Sequence, residues 1–210
     1  MRMRRKKHRD ERFNNCVEYV ITDFNNFEKL SDIFENDNKI HMEIGCGKGK
    51  FISELSTLNP DINYIAVEKC MDVLIMAMEK IKEQNIPNVR FVLGDADLFK
   101  SLPFHNEIER IYVNFCDPWK KSGQQKRRLT HRNYLDLYKQ LLIENGELHF
   151  KTDNRKLFEF SLNSFADYNL KMKNITLDLH NSRFEGNIMT EYETNFSSQG
   201  MPIYRCECVF

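Results

Sequence analysis

The chain has 210 residues, 41% hydrophobic and 30% charged, with 31 basic residues matched by 31 acidic ones. That length and balance fit one domain with its own core, globular rather than disordered. The longest apolar run, Val73 to Met78, is far below the ~18 residues of a membrane span, and the basic start meets polar Asp10-Glu11-Arg12, so neither a membrane partner nor a secretory signal is expected.

Residues 1–9 hold Arg2, Arg4, Arg5, Lys6, Lys7 and Arg9 without an acid, a basic arm that opens a lead-in running to about residue 38. From about 39 to 210, short strand-like runs alternate with helical ones. Ile40 to Ile44 predicts a strand that ends at glycines. Gly49 to Leu58 predicts a helix stopped by Asn59-Pro60. Tyr64 to Val67 is a strand ending at Glu68. Met71 to Gln84 is a helix with Leu74, Ala77, Met78 and Ile81 on one face. Strands follow at Val89–Leu93, ending at Gly94-Asp95, and at Arg110–Asn114, ending near Asp117. Asn133 to Leu142 is helical. Asn145-Gly146 turns the chain into the strand Glu147–Lys151, and Arg155 to Ala166 is a further helix. Met172–Leu179 and Ile203–Phe210 are expected as closing strands. This alternation predicts an α/β fold, a Rossmann-like doubly wound and mostly parallel sheet with helices on both faces, in a single domain spanning 1–210. A ligand is then expected beyond the carboxyl ends of the strands, where Gly45, Glu68, Asp95, Asp117 and Asp153 fall.

Charge balances in sum and not in place. Residues 118–135 hold Lys120, Lys121, Lys126, Arg127, Arg128 and Arg132, again with no acid. Setting aside these six and the six of the arm leaves 19 basic residues against 31 acidic. A basic patch on an acidic body suits a phosphate backbone held at one place, or else a solvated tail and loop. The six cysteines (Cys16, Cys46, Cys70, Cys116, Cys206 and Cys208) lack zinc-like pairing, which predicts reduced thiols in a cytoplasm and no metal.

The first strand runs into Glu43-Ile44-Gly45-Cys46-Gly47-Lys48-Gly49. Glycines at alternate positions permit a tight turn against a ligand. The spacing G-x-G-x-G is not that of a pyrophosphate cradle. Glu43 would repel a diphosphate and attract a cation, which counts against a nicotinamide dinucleotide. Glu68, 23 residues past Gly45, suits a ribose diol or a helix cap. Asp95 suits an adenine amino group or a turn. A nucleoside with a cationic aminoacyl tail and no phosphate satisfies all three acids, and S-adenosyl-L-methionine is such a ligand.

The run Asn114-Phe115-Cys116-Asp117-Pro118-Trp119 precedes Lys126-Arg127-Arg128-Leu129. Further on stand His149-Phe150-Lys151-Thr152-Asp153-Asn154 and Thr190-Glu191-Tyr192-Glu193 followed by Phe196-Ser197. With the glycine segment, these ordered motifs resemble the tRNA (guanine-N7-)-methyltransferases of the bacterial single-chain type, from Glu43 to Tyr204. The resemblance implies a class I S-adenosyl-L-methionine-dependent fold, release of S-adenosylhomocysteine, a tRNA partner, and 7-methylguanosine at guanine 46 of the variable loop as product. It implies a cofactor site at Glu43, Gly45, Gly47, Gly49, Glu68, Asp95, Ala96 and Asp117, with Asp117 also catalytic. It implies substrate contacts at Lys121, Asp153, Thr190, Glu191, Tyr192 and Glu193. RNA contacts are implied at Gly123, Gln124, Gln125, Lys126, Arg127 and Arg128. Monomer and homodimer stay equally open. The family commonly has proline where this chain has Cys116 and Lys120, and Arg-His where it has Gly123-Gln124. Fewer prolines loosen the loop.

Guanine N7 carries an in-plane lone pair and no proton, so alignment rather than a general base is the expected task. The purine gains positive charge as the methyl arrives, which a carboxylate such as Asp117 or Asp153 stabilises. Each acid has a plainer structural alternative: Asp117 can cap the turn before Pro118, and Asp153 or Asn154 can cap the following helix. Trp119 suits either base stacking or support of the pocket wall. Competing functions are adenine amino methylation, pyrimidine C5 methylation through Cys116, and a catalytically silent RNA-binding homologue.

Overall fold

A computed structural model describes residues 8–210, so most of the expected basic arm, Arg2 to Lys7, lies outside the described residues. Strands β1 (Lys39–Ile44), β2 (Ile62–Glu68), β3 (Val89–Leu93), β4 (Ile108–Asn114), β5 (Leu142–Thr152), β6 (Lys171–Thr176) and β7 (Tyr204–Val209) form one sheet in the order β3-β2-β1-β4-β5-β7-β6. Adjacent strands among β1–β5 are parallel, and β7 is antiparallel to β5 and β6. The helices are α1 (Arg9–Asn14), α2 (Lys50–Leu58), α3 (Met71–Glu83), α4 (Arg132–Leu141), α5 (Arg155–Asp167) and α6 (Glu191–Ser197). Strand order reverses between β1 and β4, which opens a crevice at their carboxyl ends.

Side chains alternate across the sheet, and the two faces differ in chemistry. On one face Met42, Ile65, Val92, Ile111, Val113, Leu148, Phe150, Cys206 and Cys208 are buried in a single cluster with Leu135, Tyr138 and Leu141 of α4 and Leu157, Phe158 and Phe165 of α5. Phe150 stacks on Phe158 and meets Phe165 edge-on, both at 6.2 Å between centroids. Burying such a ring contributes about 1.5–3 kcal/mol. On the opposite face, Tyr64, Ala66 and Phe91 pack under Phe51, Ile52, Leu74 and Met78 of α2 and α3. Farther along that face, over β4, β5 and β7, stand Arg110, Tyr112, Asn114, Glu147, His149, Lys151, Arg205 and Glu207.

The α/β fold and the parallel sheet match the expectation, and the boundaries shift for local reasons. The Asn145-Gly146 turn is a bulge inside β5: the register jumps from Ile108↔Leu142 to Arg110↔Glu147, with Asn145 at φ 60°. A Cβ on Gly146 would stand 2.9 Å from the Ile143 carbonyl oxygen. The closing strand ends at Thr176 and not at Leu179, because Asn174 takes φ 50°, the register breaks after Lys173, and Leu177 is exposed. The lead-in is more than a tail: Ile21, Phe24, Leu30, Ile33 and Phe34 join the main apolar cluster, and the Ile21 N–H donates to the Phe91 carbonyl at 2.9 Å. The stretch after Gly186, where no element is predicted, holds α6, with the Thr190 hydroxyl accepting from the Glu193 N–H at 2.9 Å as its N-cap.

Candidate active site

A cavity of about 520 Å³ opens at the β1/β4 crevice. Gly45, Glu68, Asp95, Ala96 and Asp117 line it, together with Lys69, Asn114, Phe115, Trp119, Arg127 and Tyr134. Four strand ends therefore converge on one volume, as α/β topology requires.

The glycine loop is held by backbone and by one acid. Gly45, Gly47 and Gly49 all take left-handed φ, at 84°, 58° and 79°. Gly49 also passes so close to α3 that a Cβ would lie 2.7 Å from that of Ala77. Glu68 braces the loop: its carboxylate accepts from the Gly47 N–H at 3.1 Å and the Cys70 N–H at 2.9 Å. Glu68 therefore braces the glycine loop and the turn before α3 and does not cap that helix, whose N-cap is Cys70; a carboxylate retains lone pairs for a ligand after accepting two bonds. Asp95 likewise lines the cavity while its side chain accepts from the Asp97 N–H at 2.9 Å.

Glu43 lies below the cavity wall. It is 1% exposed, its Oε1 accepts from Asn114 Nδ2 at 3.0 Å, and its Oε2 has no partner. Burial raises its carboxyl to about 8, against the pull of the Asn114 hydrogen bond. An orphaned buried oxygen is a site that lacks its donor. Asn114 links it to the cavity, which it lines. A buried acceptor beneath the loop and acids at three strand ends fit a nucleoside with a cationic tail.

The loop after β4 is bent by two bulky residues in left-handed conformation, Phe115 at φ 52° and Trp119 at φ 42°. Each such residue costs about 1–3 kcal/mol and persists only under outside restraint. Arg128 supplies it. This residue, expected at RNA, is buried; its guanidinium donates to the carbonyls of Pro118 (2.9 Å) and Trp119 (3.3 Å) and covers the Phe160 ring at 4.3 Å. Lys121, Gly123, Gln125, Lys126 and Arg127 are exposed and Gln124 half-buried in the turn that follows. Arg127 reaches back over the Trp119 ring at 4.9 Å. Asp117 is 66% exposed, with Lys69 Nζ 3.6 Å from its Oδ2.

On the β5 side the two capping alternatives separate. The Asn154 side chain accepts from the Leu157 N–H at 2.9 Å as the cap of α5, and Asp153 accepts from the Tyr192 hydroxyl at 3.2 Å. Lys151, a motif residue with no predicted role, is buried and donates to Asn187 Oδ1 (3.1 Å), the Ile188 carbonyl (2.8 Å) and Glu193 Oε2 (2.8 Å). Glu193 is wholly buried, and its other oxygen accepts from Asn187 Nδ2 at 2.7 Å. Its carboxylate therefore works inside the protein, seating α6 on the sheet. Glu191 accepts from the Lys50 N–H at 3.1 Å and Lys80 Nζ at 2.9 Å, which ties α6 to the start of α2. The signal for Lys151 was present in the sequence, as a charged residue in phase with Glu147 and His149 on an otherwise apolar strand.

Glu147, His149 and Glu207 place ligand atoms within 4.8 Å of one another, a spacing compatible with a metal ion. Arg110 at 2.8 Å and Lys173 already serve Glu147, and Asn174 at 2.7 Å and Arg205 serve Glu207, so this cluster is an ion-pair network. Burial pushes the Cys116 thiol up to about 12, which leaves it protonated at neutral pH. Among the described residues no helix is long and apolar enough to cross a membrane.

Residues 37–206 match a protein family described as "Putative methyltransferase". Over 211 residues the chain is 51% identical to a tRNA (guanine-N(7)-)-methyltransferase of Clostridioides difficile (strain 630), covering 99% of this chain and 98% of that one. It is 48% identical to the protein of the same name from Geobacillus sp. (strain WCH70), covering 99% and 94%. Among solved structures, a 16S rRNA methyltransferase, KamB, superposes with a TM-score of 0.64 at 11% identity, covering 88% of this chain and 95% of that one. An antibiotic-related methyltransferase gives 0.63 at 19% identity, covering 86% and 92%. These distant likenesses bear on the fold, and the close relatives bear on the family. The chain belongs to the tRNA (guanine-N(7)-)-methyltransferase family.

Proposed function

We propose that this protein transfers the methyl group of S-adenosyl-L-methionine to N7 of a guanine in tRNA, guanine 46 of the variable loop, in the cytoplasm. The observation that carries this reading is the β1/β4 cavity rimmed by Glu68, Asp95 and Asp117, in a chain that matches enzymes of that name over its whole length. S-adenosyl-L-methionine, when bound, supplies a methyl already activated on a sulfonium. Glu68 would accept from the ribose hydroxyls and Asp95 from the adenine amino group, while Gly45 and Ala96 would keep the wall close to the nucleoside. Glu43, steadied by Asn114, would offer its unpartnered Oε2 as acceptor to the aminoacyl end.

No residue has to take a proton from N7. The remaining work is alignment, worth many powers of ten when reacting atoms are held in line, and stabilisation of the charge that grows on the purine. Asp117 on the cavity rim and Asp153, which accepts from the Tyr192 hydroxyl, are the carboxylates that would stabilise that charge. Thr190, Glu191 and Glu193 act by building and seating α6. Lys121, Lys126 and Arg127, with backbone from Gly123 to Gln125, offer exposed contacts to RNA phosphates. The protonated Cys116 thiol disfavours C5 methylation, which needs a thiolate attacking C6.

Nucleoside mass spectrometry after incubating unmodified tRNA with protein and S-adenosyl-L-methionine tests the reaction. The expected product is 7-methylguanosine. Asp117→Ala should lower the rate by about 100-fold or more while tRNA still binds in a gel-shift assay. Full activity in that variant, or a methylated base other than 7-methylguanosine, overturns the reading.

A further inference from the structure

We infer that Phe115 is the ring on which the target purine stacks, as one half of an aromatic wall with Tyr192; the inference rests on the function proposed above. Phe115 is half-buried on the wall of the cofactor cavity, two residues from Asp117. Its ring lies 5.1 Å from that of Tyr192, tilted by 40°, and Tyr192 stacks on Phe196 at 4.2 Å. Three rings thus run from the cavity to α6, and the Tyr192 hydroxyl holds Asp153 at their edge. Tyr192 is 42% exposed, so the wall is open to solvent on one side. A purine laid against it meets a π-face for its own plane and a carboxylate for the N–H groups of its Watson–Crick edge, with the methyl-donor cavity adjoining.

Trp119 offers no equal surface, because Arg127 already lies over its ring. The wall is also set in advance. The Phe115 N–H donates to the Lys151 carbonyl at 2.8 Å, and the left-handed backbone of Phe115 turns the chain sharply at the end of β4. Tyr192 is placed by its neighbours on α6, with Glu193 on Lys151 and Glu191 on Lys80 and the Lys50 N–H. A preordered stacking surface spares the entropy of assembling it when the base arrives.

The test uses the full chain and tRNA carrying 2-aminopurine at position 46, whose fluorescence falls on stacking, alongside methyl transfer to ordinary tRNA. The wild type should quench the probe. Phe115→Leu should lose the quench and lower kcat/KM for tRNA by about 5- to 150-fold, the range for losing one base–aromatic stack. Its affinity for S-adenosyl-L-methionine by calorimetry should stay within about twofold. Phe115→Trp should restore both readouts. Tyr192→Leu, at a half-exposed position, should weaken them and serves as the second variant if Phe115→Leu does not fold. Unchanged quench and kcat/KM in either leucine variant overturn the inference. So does a parallel loss of S-adenosyl-L-methionine binding, which would make the cofactor rather than the base the main contact of the Phe115 ring. Absence of 7-methylguanosine from the wild-type reaction would sink the proposed reaction instead, while the quench comparison would still judge the wall.

Discussion

Along β5, Leu148 and Phe150 enter an apolar cluster, while Glu147, His149 and Lys151, one residue out of step, stand on the face that carries ion pairs. β4 and β7 repeat the pattern with Ile111 and Val113 against Arg110 and Asn114, and with Cys206 and Cys208 against Arg205 and Glu207. The first face is held by burial of carbon, which is indifferent to pH and tolerant of small shifts in geometry. The second is held by groups that lose water on folding and recover that cost only if each finds a partner. Burial there pushes His41 down to about 4, so its ring is neutral at pH 7 despite Glu109 at 2.9 Å. The Glu147 carboxyl sits well below the usual range under the hydrogen bonds of His149 and Lys173 and the charge of Arg110. The polar face also meets the candidate site: at its carboxyl end Asn114 reaches Glu43 and Lys151 reaches α6. In this half of the sheet one face makes the fold cohere, and the other, over β4, β5 and β7, orients residues around the cavity.

The largest effects should come from equal damage to each face. Phe150→Ala is expected to cost about 3–5 kcal/mol in urea unfolding, through lost burial and a cavity. Lys151→Met should cost about 3–5 kcal/mol as well, because Glu193 remains buried with only His180 Nε2, at 3.1 Å, in place of the ammonium. The faces part company on rescue: adding Glu193→Leu to Lys151→Met should recover most of the loss, since no lone charge is then left. A Lys151→Met variant within about 1 kcal/mol of wild type would place this pair among solvent-screened bridges.

An intermediate effect concerns Glu43. Its folded value of about 8 lies above the ordinary 4.5. Between those two values the folded chain keeps a proton that the unfolded chain has released, so the cofactor-free protein loses stability as pH rises through that window. Glu43→Gln preserves the neutral shape and removes the loss. Its melting temperature should match the wild type near pH 4.5 and exceed it by several degrees at pH 8, at about 2–4 °C per kcal/mol for a chain of this size. A pH-independent difference would show that the carboxyl is not the source. The smallest effect is expected from Lys173→Ala. This lysine is 40% exposed although it pairs with Glu147, so the change should stay within about 1 kcal/mol and shrink further in high salt.

Much of this architecture was legible in advance. The spacing of apolar runs marked the strands that carry Gly45, Glu68, Asp95 and Asp117 at their ends, and these residues do line one cavity. Position in an α/β alternation is enough to place them, because strand ends gather at the same edge of a parallel sheet. Less legible were side chains whose role depends on partners far along the chain. Arg128 belongs to a basic run by sequence, yet folds inward to hold two carbonyls. Glu193 looks like a surface acid, yet lies against Lys151, 42 residues away. The lead-in to residue 38 shows no strand pattern, yet Phe24, Leu30 and Phe34 are core. Their apolar character was visible, and the surface they would cover was not.

The sequence by itself determined the order of elements, the glycine loop with acids at successive strand ends, and the motifs that mark the family, because these depend on local periodicity and short-range spacing. Only the tertiary structure decided which charges are spent inside the protein and which face the cavity. It also decided that Asp153 meets Tyr192 while Asn154 takes the cap, and that Phe115 and Tyr192 form one surface. Burial and pairing join residues distant along the chain, and a charge acquires its meaning from how much water it loses and from which partner replaces it.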